Sequence, residues 1–181
     1  MYRAVTLAAL EENPNLGERE VKALLKRLDL ALGENGEILL QGRCVDDRLR
    51  EDLVTNAVST VSALPAVRRY LVRMQRDFAR KGALVAEGRD LGSIVFPDAA
   101  FKFYLDASPE ERARRRARQH QDRGEAALQE KVLADQARRD RLDSERAVSP
   151  LTVTDEMIRI DTTSLSAEEV VNLMVNRINS V

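Results

Sequence analysis

An arginine and an aspartate stand side by side between two glycines in Gly88-Arg89-Asp90-Leu91-Gly92, directly after the apolar run Leu84-Val85-Ala86. A guanidinium suits a phosphate, and a carboxylate accepts from a donor on a base or sugar. If the apolar run is a buried strand and the glycines are its closing turn, the pair stands at a strand's carboxyl end. In open α/β sheets that edge faces the ligand crevice. A salt-bridged strand end without a ligand explains the same charges equally well. Arginines gather elsewhere too: Arg3, the run Arg112 to Arg118 with Arg115 and Arg116 adjacent, and Arg139-Asp140-Arg141-Leu142-Asp143-Ser144-Glu145-Arg146. In the last, Arg139, Asp143 and Arg146 are spaced i, i+4, i+7 and share one helix face. All could converge on anions, although a solvated, salt-bridged helix is the commoner meaning of such spacing.

Other chemistries lack their residues. The one histidine, His120, supports neither a metal cluster nor a Ser-His-Asp or Cys-His arrangement; on a polar helix beside Arg118 and Gln119 it reads as solvated. Cys44 reads as a small packing residue. Neither Gly33-Glu34-Asn35-Gly36 nor Gly88 to Gly92 is followed by Lys-Ser/Thr, so neither is a phosphate loop. The residues therefore assign no metal ligand and no donor-phosphate cradle.

The composition narrows the class. The 181 residues are 44% hydrophobic and 33% charged, with net charge -1. Such a chain builds one full-sized domain with a sizeable core, is neither disordered nor membrane-embedded, and lacks the charge for general nucleic-acid affinity. Lysine occurs only at Lys22, Lys26, Lys81, Lys102 and Lys131, so nearly all positive charge is arginine. Arginine favours planar, bidentate contacts to phosphate, and codon bias in a GC-rich genome explains the bulk of it as well. No apolar run reaches membrane-spanning length, and no signal-peptide pattern opens the chain. With one cysteine, a reducing cytoplasm is the expected compartment.

The elements that must position these residues follow in order. A helical pattern runs from Met1 to Asn13-Pro14, and a second helix from Gly17 to Leu28. Leu30-Ala31-Leu32 and Ile38-Leu39-Leu40 flank Asn35-Gly36, a hairpin signal. Helices are expected from Glu51 to Ser62 and from Pro65 to Arg80, with Pro65 in a first turn. Strands are expected at Leu84, at Phe101 to Leu105 and at Met157 to Ile160. Ser108-Pro109-Glu110-Glu111 and Ser166-Ala167-Glu168-Glu169 read as capping boxes. A further helix is expected from Ala126 to Glu145. Strands alternating with capped helices predict an α/β fold with a parallel sheet flanked by helices.

Several stretches resemble bacterial cytidylate kinase, and they occur in the family's order along the whole chain. They are Met1-Tyr2-Arg3-Ala4-Val5-Thr6, Asn56-Ala57-Val58-Ser59 with Pro65 and Arg68, Gly88 to Gly92 with Val95-Phe96-Pro97-Asp98-Ala99, Ala107 to Arg116, and Arg139 to Leu151. The resemblance implies a nucleoside monophosphate kinase fold. Residues 1–81 would be the helical segment that binds the monophosphate, with its small β insert. Residues 82–181 would be the α/β core with an arginine-rich lid over 112–146, the whole being one kinase domain. It implies transfer of the ATP γ-phosphate to CMP or dCMP, with magnesium, in a cytoplasmic protein that is a monomer when complete. Arg3 and Arg89 match arginines that hold the CMP phosphate. Ser59, Arg68 and Asp90 match the cytosine-reading set. Arg139, Asp143 and Arg146 match residues near the sugar and phosphates. Arg115 and Arg116 fall in the lid, and with Arg139 they would neutralise the charge that develops in transfer.

The departures from the family carry expectations of their own. The family's opening strand, Gly-rich P-loop ending in Lys-Ser/Thr, helix and second strand have no counterpart here. The expectation is a cytidylate kinase beginning at an internal methionine, inactive alone, with apolar strand faces and edges left uncovered. Two rivals are a catalytically dead nucleotide-binding module and an RNA-binding protein using Arg112 to Arg118. The charge of -1 and the lack of stacking aromatics near that run count against the second.

Overall fold

Six helices, a small antiparallel sheet and a parallel strand pair make up the described part of the chain. A computed structural model describes residues 1–13, 17–33, 36–80, 82–122 and 153–180. It divides into two units, Met1–Val85 and Ala86–Val181.

The first unit is built around its first helix, α1 (Tyr2–Glu12), in which Ala4, Val5, Thr6, Leu7, Ala8 and Ala9 are all buried. A helix apolar on every side is stable only when enclosed, and two core clusters enclose this one. Ala4 and Val5 pack with Val21, Leu25, Leu30, Val67 and Leu71. Leu7, Ala8 and Ala9 pack with Leu24, Leu40, Val45 and Val54. Thr6 is the one polar residue in the buried run, and its hydroxyl donates to the Tyr2 carbonyl at 2.9 Å. The other helices are α2 (Glu18–Leu25), α3 (Asp52–Ala63) and α4 (Pro65–Ala79). Pro65 opens α4 as expected, since a proline in the first turn forfeits no helical hydrogen bond. α2 stops short of the expected Leu28. The amides of Lys26 and Arg27 bond back only three residues, to Ala23 and Leu24, which tightens and closes the helix.

Strands β1 (Leu30–Leu32), β2 (Ile38–Leu40) and β3 (Arg43–Cys44) form an antiparallel sheet in that order. The expected hairpin pairs Leu30 with Leu40 and Leu32 with Ile38. Gly36 has φ of +85°, the left-handed conformation for which glycine carries no steric penalty. A 3-10 helix, Asp46–Arg50, leads into α3.

The second unit holds the parallel pair β4 (Phe103–Asp106) and β5 (Ile158–Asp161), with Phe103 opposite Ile158 and Asp106 opposite Asp161. Helix α5 (Pro109–Gln121) follows β4, and α6 (Ala167–Asn179) follows β5. This is the α/β arrangement that the alternation predicts.

The expected strand at Leu84 does not form. Residues 83–88 have no regular structure, and Leu84 is 48% and Val85 96% exposed. A strand exists only as one side of a hydrogen-bonded ladder, and no described strand pairs with this segment. Its apolar character alone cannot hold it extended. Leu105 on β4 and Val171, Leu173, Val175 and Ile178 on α6 are also exposed. The expected helix from Ala126 to Glu145 lies outside the described residues.

Candidate functional site

Arg3, on the first turn of α1, is half-buried, and its Nη1 donates to the Leu49 carbonyl and to Thr55 Oγ1, both at 2.8 Å. The next residue back, Tyr2, lies beneath a second arginine. The guanidinium carbon of Arg68 sits 5.2 Å from the Tyr2 ring centroid, within cation–π range. Arg68 is 2% exposed, and its Nη1 donates to the Ser62 carbonyl at 3.3 Å. Ser62 in turn donates its hydroxyl to the Ser59 carbonyl at 3.1 Å. Ser59 is half-buried and lies four residues after Thr55, on the same face of α3. Arg3 and Arg68 therefore both contact α3, Arg3 at Thr55 and Arg68 at Ser62. Sequence reasoning selected Arg3, Ser59 and Arg68 but missed Thr55, whose only signal is its i−4 spacing from Ser59.

Burying an arginine is costly unless its charge finds partners. Arg68 has the Tyr2 ring face, supplied by α1, and the Ser62 carbonyl, supplied by α3. Tyr2 in turn packs against the core cluster that holds Val67 and Leu71.

In the second unit, Arg89 and Asp90 follow the irregular segment instead of a strand end. Arg89 is exposed, whereas Asp90 is 6% exposed. The Asp90 carbonyl accepts from the amides of Ile94 at 2.9 Å and Val95 at 3.2 Å, opening a π-helical turn over Leu91–Val95. Such widened turns recur at functional positions. Gly92 lies within this turn. A Cβ there would meet Met157 Cε at 3.1 Å, so the glycine permits close packing of the turn on the residue before β5.

The adjacent lid arginines differ. Arg115 Nε donates to Glu111 Oε1 at 2.7 Å, and its Nη1 donates to Thr162 Oγ1 at 2.9 Å. Its Nη2 donates to the carbonyls of Thr162 and Leu165. Arg115 thus ties α5 to the loop between β5 and α6, at the carboxyl end of the strands. Arg116 is half-buried and has no hydrogen-bond or ion-pair partner among the described residues.

The expected capping box at Ser108 is half made. Ser108 Oγ accepts from the Glu111 amide at 3.2 Å, but the Ser108 amide donates to Thr163 Oγ1 instead of to Glu111. The Glu111 carboxylate is taken by Arg114 and Arg115, two stronger charged donors. They hold its pKa down at about 2, Arg114 contributing most. The box at Ser166 is complete, with Glu169 returning to the Ser166 amide. Arg139, Asp143 and Arg146 lie outside the described residues. No group of three or more His, Cys, Asp or Glu among the described residues fits a metal ion.

The cytidylate kinase family model matches residues 1–180. The chain is 44% identical to a cytidylate kinase of Bacillus pumilus (strain SAFR-032), over 100% of this chain and 82% of that protein. It is 45% identical to one of Carboxydothermus hydrogenoformans, over 94% of this chain and 79% of the relative. A Bacillus subtilis (strain 168) cytidylate kinase is 41% identical, over 98% and 81% respectively.

The chain belongs to the cytidylate kinase family. Its family is thus one of phosphotransferases, and the residues that carry the resemblance stand in two structural settings. Arg3, Ser59 and Arg68 stand together on packed helices of the first unit. Arg89, Asp90, Arg115 and Arg116 stand in the second, around the π-helical turn and α5.

Proposed function

We propose that the chain takes part in transfer of the ATP γ-phosphate to CMP or dCMP, giving CDP or dCDP, in a cytoplasmic protein that is a monomer when complete. The observation that supports this most is the gathering of Arg3, Ser59 and Arg68 on three packed helices. Arg3 and Arg89 hold the acceptor's phosphate by charge-assisted hydrogen bonds. Ser59 and Arg68 donate to the ring acceptors of cytosine, and Asp90 accepts from its exocyclic amine. Uracil has a carbonyl in place of that amine, so Asp90 repels it. Arg139, Asp143 and Arg146 serve the sugar and phosphates. Arg116 and Arg139 neutralise the charge that develops as the phosphoryl group moves in line between oxygens, with no covalent enzyme intermediate. Arg115 stands apart from this set, because its guanidinium is committed to Glu111, Thr162 and Leu165.

Magnesium is a hard cation that keeps most of its ligands as waters and substrate phosphates. In the complete enzyme it would enter with ATP, held mainly by the nucleotide's phosphates and by water. The 181 residues contain no Gly-x-x-x-x-Gly-Lys-Ser/Thr sequence. Our reading is therefore that they bind the acceptor and do not by themselves turn over.

The test is calorimetric binding of CMP and UMP to the chain, with phosphate transfer from ATP and magnesium measured alongside. CMP-selective binding without turnover is expected, and turnover when a family P-loop segment is supplied. Equal binding of UMP overturns the acceptor assignment. Turnover by the chain alone overturns the account of the donor loop.

A further inference from the structure

We propose that Thr55 is a positioning residue for the acceptor phosphate, acting by aiming the Arg3 guanidinium. The proposal rests on the reading of Arg3 as a phosphate ligand. Arg3 Nη1 donates to two acceptors at 2.8 Å, Thr55 Oγ1 and the Leu49 carbonyl. A guanidinium is planar, so two acceptors on one terminal nitrogen restrict the plane of the whole group. The Thr55 hydroxyl donates onward to the Arg50 carbonyl at 3.4 Å. A threonine hydroxyl has two lone pairs, and at 2.8 Å one of them accepts from Arg3.

The location strengthens the case. Leu49 and Arg50 end the 3-10 helix, and Thr55 lies in the first turns of α3. Three segments, α1, the 3-10 helix and α3, therefore meet at one guanidinium. An arginine that closes on a phosphate from solution must give up its rotamers at that moment, whereas one already held has given them up in folding. Thr55 also shares its face of α3 with Ser59. One helix face thus sets the phosphate-side arginine and presents the base-side hydroxyl four residues on, fixing the spacing between the two ends of a nucleotide.

The test compares Thr55→Val, which keeps the shape and removes the hydroxyl, with Thr55→Ser, which keeps the hydroxyl. The readouts are the affinities of the full chain for CMP and for cytidine, which has no phosphate, and the thermal midpoint. Thr55→Val is expected to weaken CMP about tenfold while moving cytidine less than about twofold, the loss of one hydrogen bond to a charged group. Thr55→Ser is expected to restore the CMP-to-cytidine ratio. Arg3→Met separates the two levels of the argument. If Arg3→Met abolishes the preference for CMP over cytidine and Thr55→Val keeps it, Thr55 is only a tie between helices and the positioning role is wrong. If Arg3→Met keeps the preference, Arg3 holds no phosphate, and the underlying reading fails with the proposal. A fall in thermal midpoint without a change in the ratio also overturns positioning.

Discussion

Arg115→Ala removes the strut between α5 and the loop after β5, and the size of the effect follows from its bonds. The short contacts are to Thr162, through its hydroxyl at 2.9 Å and through its carbonyl. The Leu165 contact, at 3.4 Å, is long and adds little. A hydrogen bond from a charged donor contributes about 1.5–3 kcal/mol. Two corrections lower the sum. The Arg115 side chain is 38% exposed, so water replaces part of what is lost. Thr162 also keeps other partners: its hydroxyl donates to the Asp106 carbonyl, and its carbonyl accepts from the Leu165 amide. About 1.5 kcal/mol remains, roughly a tenfold increase in local opening. Amide hydrogen exchange reads this directly. The Thr162 amide bonds to Asp106 at 2.8 Å and the Leu165 amide to Thr162 at 3.1 Å. Both should lose about tenfold in protection, while the Val5 amide, buried in the other unit, should not change. Protection of Thr162 and Leu165 within about twofold of the parent would refute the strut.

Glu111→Gln tests the same corner by pH. The Arg114 and Arg115 guanidiniums depress the Glu111 pKa from 4.5 to about 2. A depressed carboxylate contributes stability above its unfolded value and loses it as pH falls through the folded value. The stability advantage of the parent over Glu111→Gln should therefore be full above about pH 4.5 and fade toward pH 2, and an advantage constant across that window would contradict the pairing. Val85→Asn should change denaturation stability by less than about 0.5 kcal/mol, as surface substitutions do, because Val85 is 96% exposed; a loss of core size would mean that the segment is a buried strand. Ser166→Ala should cost about 1 kcal/mol in urea unfolding by removing the cap of α6, and no loss would show that the Ser166–Glu169 box contributes nothing.

The sequence signals that succeeded are those whose cause is local. Asn35-Gly36 between two apolar triplets predicted the hairpin because the turn sets the register. Pro65 predicted a helix start because its ring fixes φ there. Ser166 predicted a cap because all partners lie within three residues. Leu84-Val85-Ala86 failed for the opposite reason. Its apolar character signals burial, but a strand's partner comes from elsewhere in the chain, and periodicity carries no information about that partner. Ser108 shows the intermediate case: the local half of its box forms, while Glu111 is drawn off by Arg114 and Arg115, which compete for the same oxygens.

The arginines make the same point about the site. Arg3, Arg68, Arg115 and Arg116 look alike in a sequence, and spacing alone favours none of them over a solvated charge. What separates them is how much of each guanidinium the protein consumes. Arg115 meets a carboxylate, a hydroxyl and two carbonyls, a set that leaves little capacity for a ligand. Arg68 is 2% exposed, beneath a tyrosine ring and beside a carbonyl. It suits recognition of a flat base better than capture of a mobile anion from solvent. Arg3 has one nitrogen fixed by two neutral oxygens, which orients the group. Carboxylates neutralise an arginine, whereas hydroxyls and carbonyls only aim it. Arg3 is aimed in this way, and what aims it lies in residues such as Thr55 and Leu49 that no charge-based reading of the sequence would select.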